Sequence, residues 1–497
     1  MSQLKALKHH FDSVLPLPIN DKQLKEIVRK AKDWALMHGV AMRSKTTFCE
    51  DALQFAPFIL VPSPFPRKEF QKAIDIQPTL NEMMHWVAHN PDFLRNCLKD
   101  TVAVDEFTGN LFNVYEQILT EGTAQPLSLG LLRADVMLES ECKNPTENCL
   151  PHSIYCCSRQ VEINTIAAGF GWLGPISTGI HRFVLSELGH LDKLKNLPEN
   201  HALRGLCEGL LEAWKLYGNP NAVILFIVEE VTYNICDQRF HEFELVRLQP
   251  QIEIVRCTLT EIATYATLDS NKKLIVDGKE VAVIYFRAGY EPSHYPSQKE
   301  WHARVLMEKS LAIKCPSIQY HLAGTKKVQQ VLAKSGALEK FLSESWKVDA
   351  VKNIFTGLYS LDFDEHGNKA VQMALDSPER FVLKPQREGG GHNVYGEEVR
   401  EAVLKMKDKK ERTAWILMDR INPPVTSGYM IRPGCPDKPD VVDLVSELGI
   451  FGVIIGDSEK IICNRQVGHM LRTKISTANE GGVAAGLGAL DSPYLIE

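Results

Sequence analysis

The segment Lys384-Pro385-Gln386-Arg387-Glu388-Gly389-Gly390-Gly391-His392-Asn393 sets two cations, a carboxylate and three consecutive glycines directly after the strand-like run Phe381-Val382-Leu383. Successive glycines let backbone N–H groups converge on an anion. Lys384 and Arg387 would supply positive charge to a polyphosphate, and Glu388 a hard oxygen for magnesium. A flexible turn in a long hairpin fits the glycines alone; the lysine, arginine and glutamate beside them favour a nucleotide. The segment is neither a Walker A loop nor a dinucleotide fingerprint.

Glu162 and Asn164 are spaced i and i+2 in Glu162-Ile163-Asn164-Thr165-Ile166, whose alternation predicts a strand with both side chains on one face. A carboxylate and an amide oxygen so placed can share one Mg²⁺, although polar residues on a solvated strand face have the same pattern. A second glycine pair, Gly481-Gly482, follows Glu480 and a strand carrying Arg472 and Lys474 on one face. Such a loop suits closure over an anionic ligand. Ligands of open α/β sheets bind beyond the carboxyl ends of the strands. Two such ends lead into Thr232 to Arg239 and into Arg287-Ala288-Gly289-Tyr290. Asn234, Gln238, Arg287 and Tyr290 are therefore candidates to hold a polar, carboxylate-bearing molecule. The alternative, with Arg287 and Asp237 as plain surface ion partners, has equal weight from spacing alone. No Gly-x-Ser-x-Gly elbow and no His-Glu-x-x-His helix motif occurs, so the pattern points to ATP activating a carboxylate.

These residues need a large scaffold. The chain has 497 residues, 44% hydrophobic and 24% charged, which excludes disordered and disulfide-scaffold classes and predicts more than one domain. A net charge of -6 without a basic block argues against nucleic acid. The longest apolar run, Ala222 to Val228, is too short to span a bilayer and reads as a strand buried on both faces of a parallel sheet. The chain as given reads as cytoplasmic, with export the alternative if a leader has been removed ahead of Met1. Twelve cysteines without a Cys-x-x-Cys pair read as reduced, mostly buried thiols. Apolar periodicity predicts helices over Leu24 to Ala35, Leu80 to Val87, Leu111 to Leu119 and near Trp301 to Lys309. Strands are expected at Ile252 to Val255, Leu274 to Phe286 with a turn at Asp277-Gly278, Trp415 to Met418, Leu444 to Ile455 and Ile461 to Lys474. The fold class is α/β.

Ordered blocks along nearly the whole chain carry a resemblance: Leu129 to Asp135, Glu162 to Ile166, Asn234 to Arg239, Tyr285 to Tyr290, Leu322 to Gln330, Lys384 to Asn393, Ser446 to Gly452, Leu471 to Lys474 and Glu480 to Gly486. The chain resembles the eukaryotic glutathione synthetases, which are ATP-grasp ligases. That resemblance implies an ATP-grasp fold with an inserted parallel-sheet substrate domain and a glycine-rich lid. Its segments would be 1–221 and 325–354 in the core, 222–324 as the insert, 355–440 as the lid, and 441–497 returning to the core with the second glycine-rich loop. The implied reaction phosphorylates the cysteinyl carboxylate of γ-glutamylcysteine with ATP, after which the amine of glycine attacks the acyl phosphate.

By the same resemblance Glu162, Asn164 and Glu388 hold magnesium. Lys326, Lys384, Glu388, the loop Gly389, Gly390, Gly391, His392 and Asn393, Tyr395, Met418, Asp419, Arg420, Ile421, Glu447, Lys474 and Glu480 serve ATP. Arg133 and Arg472 are implied beside the reacting carboxylate and the acceptor. Asn234, Gln238, Arg287 and Tyr290 would hold the γ-glutamyl end, with Ile166, Ala167, Ala168, Gly169 and Thr232 around it and Val483 and Ala484 at the acceptor. A homodimer is implied, with small-molecule substrates and neither nucleic acid nor membrane as partner.

Two stretches depart from the family pattern. Ile166-Ala167-Ala168-Gly169 stands where family members commonly have Ile-Ser-Ala-Ser, and Thr232-Tyr233-Asn234 where they have Glu-Arg-Asn. A lost neutral hydrogen bond is worth roughly 0.5–1.5 kcal/mol and a charged one roughly 1.5–3 kcal/mol. The leading expectation is glutathione synthesis. A ligase with an altered peptide substrate, or little activity, comes second, and a non-catalytic nucleotide or thiol-peptide binder third.

Overall fold

Asn20 caps the first helix of the computed structural model, which describes residues 9–141, 154–386, 391–483 and 487–497. Its side-chain oxygen accepts from the Lys22 N–H at 3.1 Å, and α1 (Asp21–Met37) buries Leu24, Ile27, Val28, Ala31 and Ala35. The chain then turns at Gly39 (φ 71°) into a short hairpin, β1 (Ala41–Met42) with β2 (Gln54–Phe55). The apolar stretches around Leu80 and Leu111 lie in α2 (Arg67–Ala88) and α3 (Glu106–Glu121), whose inner faces form one large core with the sheet.

Two long strands follow, β3 (Ser128–Glu139) and β4 (Cys157–Asn164), paired antiparallel. After α4 (Leu173–Glu187) comes β5 (Val223–Ile227), a pentapeptide in which every residue is buried, as the apolar run predicts. Next in the chain are α5 (Ile235–Leu248), β6 (Ile254–Cys257), β7 (Leu274–Val276), β8 (Lys279–Phe286), α6 (Gln298–Glu308) and β9 (Ile313–Cys315). Strand β5 lies between β6 and β8, all parallel, and β8 runs parallel to β9. The β7–β8 turn sits at Asp277 and Gly278, both at positive φ, the geometry of a two-residue hairpin. Strand β9 pairs with β3 through Lys314 and Ser128, so the strands of segment 222–324 extend the central sheet.

Helix α7 (Lys326–Leu332) leads toward a separate four-stranded antiparallel sheet. Its strands are β10 (Leu358–Ser360), β11 (Phe381–Pro385), β12 (Val394–Tyr395) and β13 (Trp415–Asp419), in the order β10-β13-β11-β12. Helices α8 (Glu365–Asp376) and α9 (Glu397–Met406) cover one side around Leu361, Leu383, Val399 and Leu417. This small core lies within residues 355–440. Lys327 ties it to the main body, its Nζ 2.5 Å from Asp362 and its N–H donating to Gln386 Oε1 at 3.0 Å.

The chain returns to the central sheet as β14 (Val442–Gly456), β15 (Ile461–Ile475) and β16 (Gly488–Asp491), giving the consecutive order β4-β3-β14-β15-β16. Among the described residues this sheet has 15 strands. Cysteine usage departs from the all-reduced expectation: among the described residues Cys156 is disulfide-bonded and the other nine cysteines are free thiols. No described helix is long and apolar enough to cross a membrane.

Candidate active site

Strand register alone assembles the centre of the site. Arg133 on β3 faces Asn164 on β4, Asp135 faces Glu162, and Glu447 on β14 faces Arg472 on β15. Because side chains alternate across a strand, four neighbouring strands present Glu162, Asn164, Arg133, Asp135, Glu447, Arg472 and Lys474 on one face. Arg133 binds Asp135 with two prongs, Nε to Oδ1 at 2.6 Å and Nη2 to Oδ2 at 2.8 Å. Its Nη1 donates to the Gly169 carbonyl at 3.0 Å. Arg472 Nη2 lies 2.5 Å from Glu447 Oε1 and 3.6 Å from Asp135 Oδ2. Asn164 Nδ2 also donates to Asp135 Oδ2, at 3.0 Å, so one buried carboxylate orients three side chains.

Burial opposes ionisation of Glu162, yet Lys326, Lys384 and Arg472 together hold its carboxyl well below the usual range. The Lys326 contact is direct, at 3.0 Å. Lys326 opens α7, and Gln329 of that helix fixes it to β4 by accepting from the Ile163 N–H at 2.9 Å. The approach is close: a Cβ at Gly324 would stand 2.1 Å from Thr165 Oγ1. Burial raises the Glu447 carboxyl, opposed by Arg472, and burial lowers the Lys474 ammonium. The Arg472 guanidinium is driven the other way, upward, by Glu447 and Asp135 against its own burial.

A cavity of about 640 Å³ lies over this face and beneath the lid. Lys326, Lys384, His392, Asn393, Tyr395, Met418, Asp419, Arg420, Ile421, Glu447, Lys474 and Glu480 line it. The two loops meet across its mouth, for the N–H groups of Gly391 and Asn393 both donate to the Glu480 carboxylate, the second at 3.2 Å. Val483 lines the same opening. Glu388, Gly389, Gly390 and Ala484 lie outside the described residues.

The cavity continues to the ends of β5 and β8, where Ile166, Ala167, Gly169, Asn234, Arg287 and Tyr290 line it. Asp237 and Arg287 are a buried pair at 3.0 Å, not surface partners. Asp237 also accepts from the N–H groups of Phe170 and Trp172, each at 3.0 Å, where α4 begins. Burial alone would raise its carboxyl; Arg287 brings it below the usual value. Three expected contacts turn away from the cavity. Gln238 donates to Asn234 Oδ1 at 2.9 Å and accepts from Arg256 Nη2 at 2.9 Å, Thr232 donates to the Glu229 carbonyl at 3.0 Å, and Ala168 is packed in the core. Ala167, at φ 47°, shapes a tight turn in which Gly169 N–H donates to its carbonyl at 2.6 Å. Sequence reasoning had assigned no role to Asp135, although Arg133-x-Asp135 spacing places both on one strand face. Lys45, Tyr233 and Glu291, which also line the cavity, carried no motif.

A mixed α/β sheet with a small antiparallel lid, enclosing a polar cleft of paired arginines and carboxylates, defines the ATP-grasp carboxylate-amine ligases, and this chain is an ATP-dependent ligase of that class. The family model described as the ATP-binding domain of eukaryotic glutathione synthase matches residues 21–495. Glutathione synthetase of Homo sapiens is 43% identical over 481 residues, covering 96% of this chain and 98% of its own length. The chloroplastic glutathione synthetase of Arabidopsis thaliana is 37% identical over 488 residues, covering 96% of this chain and 86% of its own. Among solved structures, a glutathione synthetase-like effector from Globodera pallida, in its apo form, is similar at TM-score 0.75 and 26% identity, covering 96% of this chain and 98% of that one. The chain belongs to the eukaryotic glutathione synthetase family.

Proposed function

We propose that the chain joins γ-glutamylcysteine to glycine: the cysteinyl carboxylate takes the γ-phosphoryl group of ATP, and the glycine amine then attacks the acyl carbon and expels phosphate. The observation that carries this reading is the sheet face on which Arg133 and Arg472 are fixed by Asp135 and Glu447 before any substrate arrives. Donors that need no rearrangement stabilise charge developing on a transferring phosphoryl group or a tetrahedral carbon. Arg472 and Arg133 border the reacting carboxylate, while Asn234, Arg287 and Tyr290 hold the γ-glutamyl end. Val483 and its glycine-rich loop border the acceptor.

Lys326, Lys384 and Lys474 neutralise the polyphosphate, and the Glu480 latch closes the lid loop over it, excluding water that would hydrolyse an acyl phosphate. Glu162 and Asn164 fit magnesium, since one is held ionised and the other spends its N–H₂ on Asp135, leaving its oxygen to coordinate. The ion would supply charge neutralisation at the phosphates. Glu388, the third ligand that the resemblance implies, lies outside the described residues. A cytoplasmic setting, a homodimer and the five-segment domain plan belong to the same reading.

The acyl-phosphate step is tested with γ-glutamylcysteine carrying ¹⁸O in its cysteinyl carboxylate. One ¹⁸O is expected in the phosphate released per glutathione made. Phosphate without label would contradict the step.

A further inference from the structure

The donor end of the cavity contains two charged side chains that these roles leave unused. Lys45 lies in the loop between β1 and β2, its Nζ 3.9 Å from the centre of the Tyr233 ring. Arg43 N–H donates to the Tyr233 carbonyl at 2.8 Å, seating that loop on the cavity wall, and Thr47 N–H donates to Ser44 Oγ at 3.1 Å within the loop. Among the described residues Lys45 pairs with no carboxylate. Glu291 lines the same cavity from the far side of Tyr290, accepting from Ser293 Oγ at 2.6 Å. Lys45, Tyr233 and Glu291 all line this one cavity, where burial and the neighbouring carboxylates push the Tyr233 hydroxyl up to about 12 against Arg287.

The other charges at this end already have partners. Arg287 is paired with Asp237. Glu229 Oε1 accepts from Tyr290 Oη and from His294 Nε2, both at 3.2 Å. His294 Nδ1 accepts from the Gly289 N–H at 2.9 Å, which puts the proton of the neutral ring on Nε2, facing Glu229. Thr232 brings no charge. Arg287 Nε is buried without a partner among the described residues, so this end still has donor capacity to fill. An α-amino acid head carries an ammonium and a carboxylate on one carbon, and Lys45 and Glu291, whose Oε1 also lies 3.5 Å from His294 Nε2, match it in sign.

We propose that Lys45 and Glu291 determine specificity for the amino-acid head of the donor, Lys45 taking its carboxylate and Glu291 its ammonium; the assignment rests on the donor placement given above. Neither residue would touch the reacting atoms. Their loss therefore acts on donor affinity, with KM for ATP unchanged.

Calorimetric titration of the full chain, with a non-hydrolysable ATP analogue present, tests this using three donors: γ-glutamylcysteine, 4-aminobutyryl-cysteine, which lacks the head carboxylate, and glutarylcysteine, which lacks the ammonium. Lys45→Met is expected to weaken γ-glutamylcysteine by about tenfold or more, the scale of one lost charged hydrogen bond, and to leave 4-aminobutyryl-cysteine unchanged. Lys45→Arg should restore binding. Glu291→Gln should weaken γ-glutamylcysteine and spare glutarylcysteine. Unchanged affinity for γ-glutamylcysteine in both variants, or equal losses on all three donors, would overturn the assignment. Failure of the wild-type chain itself to bind or ligate γ-glutamylcysteine would instead overturn the donor placement, and this assignment with it.

Discussion

Arg133 and Asp135, two residues apart on β3, form a bidentate pair whose carboxylate also lies 3.6 Å from Arg472 and accepts from Asn164 at 3.0 Å. Gly449 on the facing strand makes room for it. A Cβ there would stand 2.7 Å from Asp135 Oδ1 and 2.8 Å from Arg133 Cδ. Arg133, Arg472 and Asn164 are thus oriented by one buried carboxylate.

Asp135→Asn retains the shape and removes the shared charge. A kcat loss of about 10²-fold, or ~2.7 kcal/mol of transition-state stabilisation, is expected with little change in KM for ATP. Gly449→Ala should lower kcat in the same direction by displacing the pair, with a modest stability cost of about 1–3 kcal/mol. Steady-state kinetics and thermal melts on both variants check this; a change confined to KM would contradict it.

Arg287→Met would leave Asp237 buried and uncompensated, at a cost of about 3–5 kcal/mol in denaturant unfolding. The sign of its pH dependence follows from Arg287, which overcomes burial to hold the Asp237 carboxyl below its unfolded value. Its stabilisation is present above the unfolded pKa of about 4 and is lost as pH falls through the folded value. In the variant burial, no longer opposed by Arg287, raises that carboxyl relative to wild type. The stability gap between wild type and variant should narrow as pH falls from 7 toward about 4.

Asp491 shifts in the opposite direction. Burial raises its carboxyl to about 7 despite hydrogen bonds from Ser63 and Thr473, each at 2.6 Å. A raised folded pKa stabilises below the unfolded value, and that contribution is lost as pH rises through about 7. Asp491→Asn removes the titration, so its melting temperature relative to wild type should rise between pH 5 and 8. A constant difference across that range would contradict this.

Glu480→Ala cuts the link to the N–H groups of Gly391 and Asn393. KM for ATP is expected to rise by about tenfold, the scale of hydrogen bonds to a charged acceptor, with KM for glycine following if the loops close together. Unchanged KM for ATP would show that the latch has no part in nucleotide binding.

Much of this architecture is legible in the chain itself. The uninterrupted run at Ala222 to Val228 reads as a strand buried on both faces, and Asp277-Gly278 reads as a hairpin turn. Glu162 and Asn164 declared their shared face by spacing. Pairings between distant strands are not written in any one segment, and Asp135 takes its meaning from them: its partners Asn164 and Arg472 are brought to it by neighbouring strands. Gln238 was misplaced for a related reason. Arg256, arriving from β6, turns its amide away from the cavity. Lys45 sits in a hairpin loop with no periodicity, and only its contact with Tyr233 gives it meaning.

The central claim is tested most directly by incubating the purified chain with ATP, Mg²⁺, γ-glutamylcysteine and glycine while following phosphate release and identifying the product by mass spectrometry. Glutathione formed in step with one phosphate per molecule, and abolished when any one component is omitted, is the predicted result. A folded chain that binds ATP yet yields neither glutathione nor phosphate with this pair would contradict the account.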